Sequence, residues 1–122
     1  MKITGIKRDE HGLADYIYVP LVYAAPNFAG FKNNKQASIL CRGFSAVALT
    51  YSLCTDAPWG AFKILPYKVH AGLDFTSGLL ALGTAMLPQI AKNKAAKKTF
   101  IAMGVTGLIV GTLSLIGAKK NY

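Results

Sequence analysis

Charge is scarce in this sequence. Acidic residues are scarcer still: five Asp and Glu stand against 14 Lys and Arg, for a net charge of +9. Charged residues make up 16% of the chain, against about 25% in an ordinary soluble domain. There are two histidines, one tryptophan and two cysteines. Cys41 and Cys54 fall in one expected helix, which holds them about 20 Å apart. A disulfide needs Cα atoms within about 7 Å, so they cannot pair within the chain, and they read as small apolar helix residues. No phosphate-binding glycine loop, cysteine cluster or nucleophile–base pairing is visible, so neither an enzyme nor a bound cofactor is expected. The lysines sit in short connections and form no basic stripe interleaved with aromatics, which excludes a nucleic-acid partner. Residues 1–14 are polar and basic and no small-x-small cleavage pattern follows, so a cleavable signal peptide is not expected.

What is abundant is apolar sequence, 52% of the residues, and it comes in blocks. Charge is absent for 16 residues after Asp15, for 17 after Asp74 and for 20 after Lys98. A fourth block of 20 residues, Gln36 to Thr55, is interrupted only by Arg42, which can snorkel to an interface or pair with an acid. A bilayer core asks for about 17–25 apolar residues per helix. A soluble bundle would keep a charged outer face on each helix, and these blocks have none. The expectation is an all-α membrane protein of one domain. A polar tail occupies 1–10, and four transmembrane helices at about 12–29, 35–54, 69–90 and 99–118 form an antiparallel bundle over 11–118. The termini and the 55–68 connection would share one side, and the 32–36 and 91–98 turns the other. The 55–68 stretch reads either as a segment in the headgroup region or as an ordered polar loop. Tyr16, Tyr18, Tyr51, Trp59 and Tyr67 read as an interfacial aromatic belt. The expected location is the cell (inner) membrane, multi-pass, with lysines 92–98 leaning towards the cytoplasmic side.

The two histidines open a repeat. His11-Gly-Leu-Ala-Asp15 and His70-Ala-Gly-Leu-Asp74 each precede an apolar block. A shift of 59 superposes them, and a shift of 61 lays Gly43 over Gly104. The chain therefore reads as two copies of a helical hairpin, about 11–56 and 70–118, related by a pseudo-two-fold axis along the membrane normal. Small residues mark helix-packing faces: Gly43 and Ala46 in the second helix, Gly78 and Ala81 in the third, Gly104, Gly107 and Gly111 in the fourth.

The stretch Lys63 to Gly78, with Ala25-Pro26-Asn27-Phe28-Ala29-Gly30-Phe31, resembles the SPW-repeat family of small bacterial membrane proteins. The shared pattern is a histidine, an aspartate four residues on, and an apolar helix closing on proline before a basic turn, present twice. The family's Ser-Pro-Trp hallmark is degenerate: the positions read Ala25-Pro26-Asn27 and Leu87-Pro88-Gln89. The resemblance implies four membrane helices in two repeats and no established activity.

His11, Asp15, His70 and Asp74 are the candidate site. A residue pair four apart on a helix shares one face. Each aspartate can cap its helix and anchor a neighbour. Alternatively, the four groups converge near the axis, where histidine and carboxylate suit a divalent metal or a proton relay. Haem ligation is disfavoured because both histidines lie at helix entrances. Two functions follow as expectations. One is a structural or accessory membrane protein that assembles with other helices or copies of itself. The other is a minimal transporter or ion-conducting unit working through the His/Asp pairs.

Overall fold

The structure, a computed structural model, describes residues 7–119. Residues 1–6 of the expected polar tail lie outside the described residues. The described chain is all-helical: α1 (Arg8–Phe28), α2 (Lys35–Leu53), α3 (Tyr67–Ala85), the short α4 (Pro88–Ala91) and α5 (Lys94–Lys119).

Local chemistry sets the ends. The Lys7 backbone N–H donates to the Glu10 carboxylate at 3.0 Å, and Asp9 and Glu10 place negative charge at the positive end of the α1 dipole. α1 then runs through Pro20 and Pro26. Pro26 has no N–H to offer the carbonyl four residues back. That carbonyl, Val22 O, instead accepts from Cys41 Sγ at 3.1 Å. α2 and α5 start alike. Asn34 Oδ1 accepts from Ala37 N–H at 3.2 Å and Asn93 Oδ1 from Ala96 N–H at 3.1 Å.

The third apolar block is two helices, where one over 69–90 was expected. Pro88 explains the break. It disfavours helical backbone at Leu87, which is extended, and then serves as the first residue of α4. α5 begins at Lys94, inside the expected lysine turn, because Asn93 caps it there.

α3 and α5 form the closest pair, backbone against backbone. A Cβ at Gly107 would lie 2.8 Å from Asp74 O and from Gly78 Cα, and one at Gly111 would lie 2.7 Å from Phe75 N. α1 pairs with α2 more loosely, held by Ser45 Oγ donating to Val19 O at 2.7 Å. The face of α2 turned inward is Ala37, Cys41, Ser45, Ala48 and Ser52. Gly43 and Ala46, expected to pack, are exposed within the chain, and a Cβ at Gly43 meets nothing within 4 Å. Serine and cysteine hydrogen bonds to the α1 carbonyls set that rotation. Arg42 reaches no acid. Its Nη2 lies 3.4 Å from Asn27 Oδ1, and its guanidinium stands 5.3 Å from the Tyr23 ring centre.

The distribution of side chains is inverted relative to an ordinary globule. The interior holds Ala37, Cys41, Ala71, Ala81, Ala96, Ser45, Ser52 and the histidines, with a few larger residues such as Phe31, Ile90 and Phe100 near the α1–α2 turn. The outer surface carries Leu13, Ile17, Leu21, Ile39, Val47, Leu80 and Ile109. Among the described residues one helix, over Lys94–Gly117, is long and apolar enough to cross a membrane by length and composition. The other long helices each carry charge within their spans: Asp15 in α1, Arg42 in α2, Lys68 and Asp74 in α3.

Candidate functional site

The four sequence-derived candidates meet in one place. His11 and Asp15 sit in the first two turns of α1, and His70 and Asp74 in the first two turns of α3. The i to i+4 spacing turns both members of each pair inward. His11 and His70 are fully buried, and Asp15 and Asp74 are nearly so. One ligand atom from each of the four lies within 4.8 Å of the others.

The pairing is exchanged between the halves of the chain. His70 Nε2 contacts Asp15 Oδ2 at 2.5 Å, closer than its own-helix partner Asp74 Oδ2 at 3.6 Å. His11 Nε2 likewise bonds Asp74 Oδ2 more closely than Asp15 Oδ2, which lies at 2.9 Å. The two Nε2 atoms stand 3.1 Å apart. The aspartates therefore do not cap their helices. They lie two turns in and reach across.

A second layer of hydroxyls holds the far side of each ring, again by exchange. Thr55, just after α2, faces His70 Nδ1 at 2.7 Å, and Ser114 on α5 bonds His11 Nδ1. Thr55 and Ser114 differ by the same 59 positions that separate His11 and His70, as do the capping residues Asn34 and Asn93. These pairs share the offset of 59, where an offset of 61 was expected for the second helices. The Thr55 hydroxyl gives its single proton to Tyr51 O at 2.6 Å. Its oxygen must then accept from His70, so Nδ1 carries a hydrogen and Nε2 faces the carboxylates.

The symmetry is incomplete. The Tyr51 hydroxyl donates to Asp74 Oδ1, whereas the residue 59 positions on, Val110, is apolar and lines the same cavity as Asp15. A cavity of about 30 Å³ reaches Asp15, Tyr51, Asp74 and Ser77, room for one or two waters. Tyr67 Oη lies 3.1 Å from His11 Nδ1.

The 55–68 connection closes the site from above. It is ordered: Asp56 N–H donates to Leu65 O at 2.7 Å, and Ile64 N–H donates to Cys54 O at 2.8 Å. Trp59 stands with its ring centre 5.1 Å from that of His70, and the Tyr16 hydroxyl donates to Trp59 O at 2.8 Å. Glycine at position 12 makes room for it, since a Cβ there would lie 2.4 Å from the indole. Tyr51, Trp59 and Tyr67 are therefore lining groups of the centre and not an outward belt. Phe62 and Ile64 do point outward.

These features define an all-helical protein organised around a buried centre of two histidines and two aspartates, each half of the chain supplying one of each. The chain matches no protein-family profile, no curated protein and no solved structure.

Proposed function

We propose that this chain is a small integral membrane protein of structural or accessory type, a duplicated helical hairpin whose two halves are clasped by the His/Asp centre. The observation that carries the reading is the inverted packing. Large apolar side chains face outward along all the long helices, while the interior away from the Phe31, Ile90 and Phe100 cluster is mostly small or polar. In water such a surface would be an extended exposed apolar area, which monomeric proteins avoid. In lipid it is the normal exterior, and small residues with hydroxyls are the normal interior. The 19 residues of α2 and of α3 extend about 28 Å, close to the bilayer core of about 30 Å. Asp74 is turned inward and Lys35 and Lys68 lie at helix starts, while Arg42, two turns into α2, rests on Asn27 and the Tyr23 ring, from where it can snorkel to an interface. The reading includes four spans, the bacterial inner membrane, kinship with the SPW-repeat proteins and no enzymatic role. Extraction of membranes with alkaline carbonate and urea is expected to leave the full chain in the pellet, and its release to the supernatant would overturn the reading.

The partners of this reading are other membrane helices or further copies of the chain. Gly43 and Ala46 form an outward notch on α2 that fits a helix from outside the bundle. A Cβ at position 43 meets nothing within 4 Å, so Gly43→Leu is expected not to lower the melting temperature while shifting the assembly to a smaller species on detergent sizing. An unchanged elution position would remove α2 as the assembly face.

An ion-conducting unit is the alternative for the same fold. It needs a water path through the bundle. The cavity beside the carboxylates holds one or two waters, and the bulk of the site is closed by Trp59 and Tyr67. That balance favours the structural reading.

A further inference from the structure

We propose that His11 Nε2, His70 Nε2, Asp15 Oδ2 and Asp74 Oδ2 form a closed, four-coordinate site for one divalent transition-metal ion of the zinc type. The inference goes beyond the membrane reading and does not depend on it.

Three observations converge. The first is donor set and spacing. Two imidazole nitrogens and two carboxylate oxygens are a zinc-type ligand set. Zinc bonds of about 2.0–2.2 Å place tetrahedral ligands about 3.3 Å apart. The atoms here stand 3.1 Å (Nε2 to Nε2), 2.9 Å and 3.6 Å (nitrogen to oxygen) from one another, with two nitrogen–oxygen pairs closer and the two carboxylate oxygens within 4.8 Å of each other. A bound ion would open the two close pairs and draw the two oxygens together, each a side-chain adjustment.

The second is the tautomer. His70 Nδ1 donates to Thr55, so a neutral His70 presents a lone pair at Nε2. A protonated ring would instead donate from Nε2 to Asp15 Oδ2; in the neutral ring the lone pair points at that oxygen and towards His11 Nε2. Electron-rich atoms gather this closely only around positive charge. The outer groups hold each ligand in that pose: Thr55 behind His70, Ser114 and Tyr67 behind His11, Tyr51 on the far oxygen of Asp74. Such outer partners are what orient metal ligands.

The third is charge. Two carboxylates carry −2, and one divalent ion with two neutral imidazoles makes the buried centre electrically neutral. Two imidazoliums would also balance the charge, but they would bring two cationic Nε2 positions within 3.1 Å. All four protein positions are filled and Trp59 covers the site, the form of a structural and not a catalytic metal. Each half of the chain supplies two ligands, so the ion would join the halves.

The test uses the full chain, purified without a histidine tag, stripped with chelator and titrated with Co²⁺ and with Zn²⁺. One Co²⁺ per chain is expected, with the intense visible bands of four-coordinate cobalt and quenching of Trp59, the only tryptophan. Zn²⁺ should displace it. Asp15→Asn should abolish the bands. The pair Thr55→Val with Ser114→Ala leaves every ligand in place, covers the case in which a ligand variant fails to fold, and should weaken Co²⁺ binding by about 10–100-fold. Absence of four-coordinate bands in the unmutated chain would overturn the proposal and leave two protons as the occupants. Bands of unchanged affinity in the Thr55/Ser114 variant would also overturn it, placing the metal elsewhere. Neither result bears on carbonate extraction, so this inference and the membrane reading can fail separately.

Discussion

Asp74→Ala is expected to lower the stability of the folded chain by about 3–5 kcal/mol, the range found when one partner of a buried ionic pair is removed. Asp74 is engaged through both of its oxygens. Its Oδ2 bonds His11 Nε2 and its Oδ1 accepts from the Tyr51 hydroxyl, with its side chain only 8% exposed. Alanine leaves the tyrosine hydroxyl and the imidazole buried without that partner, and the cost of orphaned polar groups exceeds the gain from making the bond. Denaturant or thermal unfolding in detergent measures the loss. The exposed Asp56 is the control, and its alanine variant should fall within about 0.5 kcal/mol of the parent. The exchanged geometry makes a sharper claim. Asp74→Ala combined with His11→Ala should cost less than the two singles added, because each single already strands the other partner. Asp74→Ala combined with Leu13→Ala, on the outer surface, should be additive. Equal additivity in both cycles would mean that the cross-half bond contributes nothing.

The sequence made the two His-x-x-x-Asp pairs conspicuous, because their residue types are rare in this chain and their spacing is local. The exchange between them was not legible. It depends on where α3 lies against α1, a relation between residues 59 positions apart. The same limit hid Thr55, Ser114, Tyr51 and Tyr67. A hydroxyl near a helix end has many local uses, and only the common shift of 59 from Thr55 to Ser114 singles out those two. Helix positions followed well from the apolar blocks, except where Pro88 divides the third block, Asn93 starts α5 at Lys94, and α1 begins at Arg8 within the expected polar tail. Small residues were a fair guide in α3 and α5, where glycines stack on glycines. In α2 they face away from the bundle, because Cys41 and Ser45 hydrogen-bond to α1 carbonyls and rotate Gly43 and Ala46 to the outside. Spacing alone cannot say whether a small residue is there to approach its own bundle or something beyond it.

The site occupies one end of the bundle, among the first turns of α1 and α3 and the last turns of α2 and α5. The aliphatic and aromatic core of Phe31, Cys41, Ile90 and Phe100 fills the other. The two ends therefore hold the halves together by different physics. At the turn end, area and shape do it, and the loss of a methyl group is felt as a cavity. At the terminal end, hydrogen bonds and charge do it, in a medium where unpaired polar groups are expensive. This division explains why α1 tolerates two prolines. Its ends are fixed by independent contacts, and Cys41 supplies the hydrogen bond that Pro26 leaves open at Val22 O.

Gly107→Leu is expected to be the most damaging substitution in α5, at or above the upper end of the roughly 1–3 kcal/mol typical of overpacking. A Cβ at this position would stand 2.8 Å from the Asp74 carbonyl oxygen and 2.8 Å from Gly78 Cα. Both atoms are backbone, so no rotamer change relieves the clash and α3 itself must move. The residue it would push is the one that carries Asp74. Loss of α3–α5 packing and loss of the His/Asp centre should therefore appear together. Leu113→Ala, a half-buried position on the same helix, should cost no more than about 1 kcal/mol and leave the centre intact. Unfolding curves give the two stabilities, and Trp59 emission reports the centre, since the indole lies against His70. Gly107→Ala adds only the Cβ and should fall between the two. If Gly107→Leu and Leu113→Ala unfold alike, the close approach of α3 and α5 is not what holds this end of the bundle. If Gly107→Leu is destabilised with Trp59 emission unchanged, packing and centre are independent, and the clasp does not depend on the backbone contact that positions it.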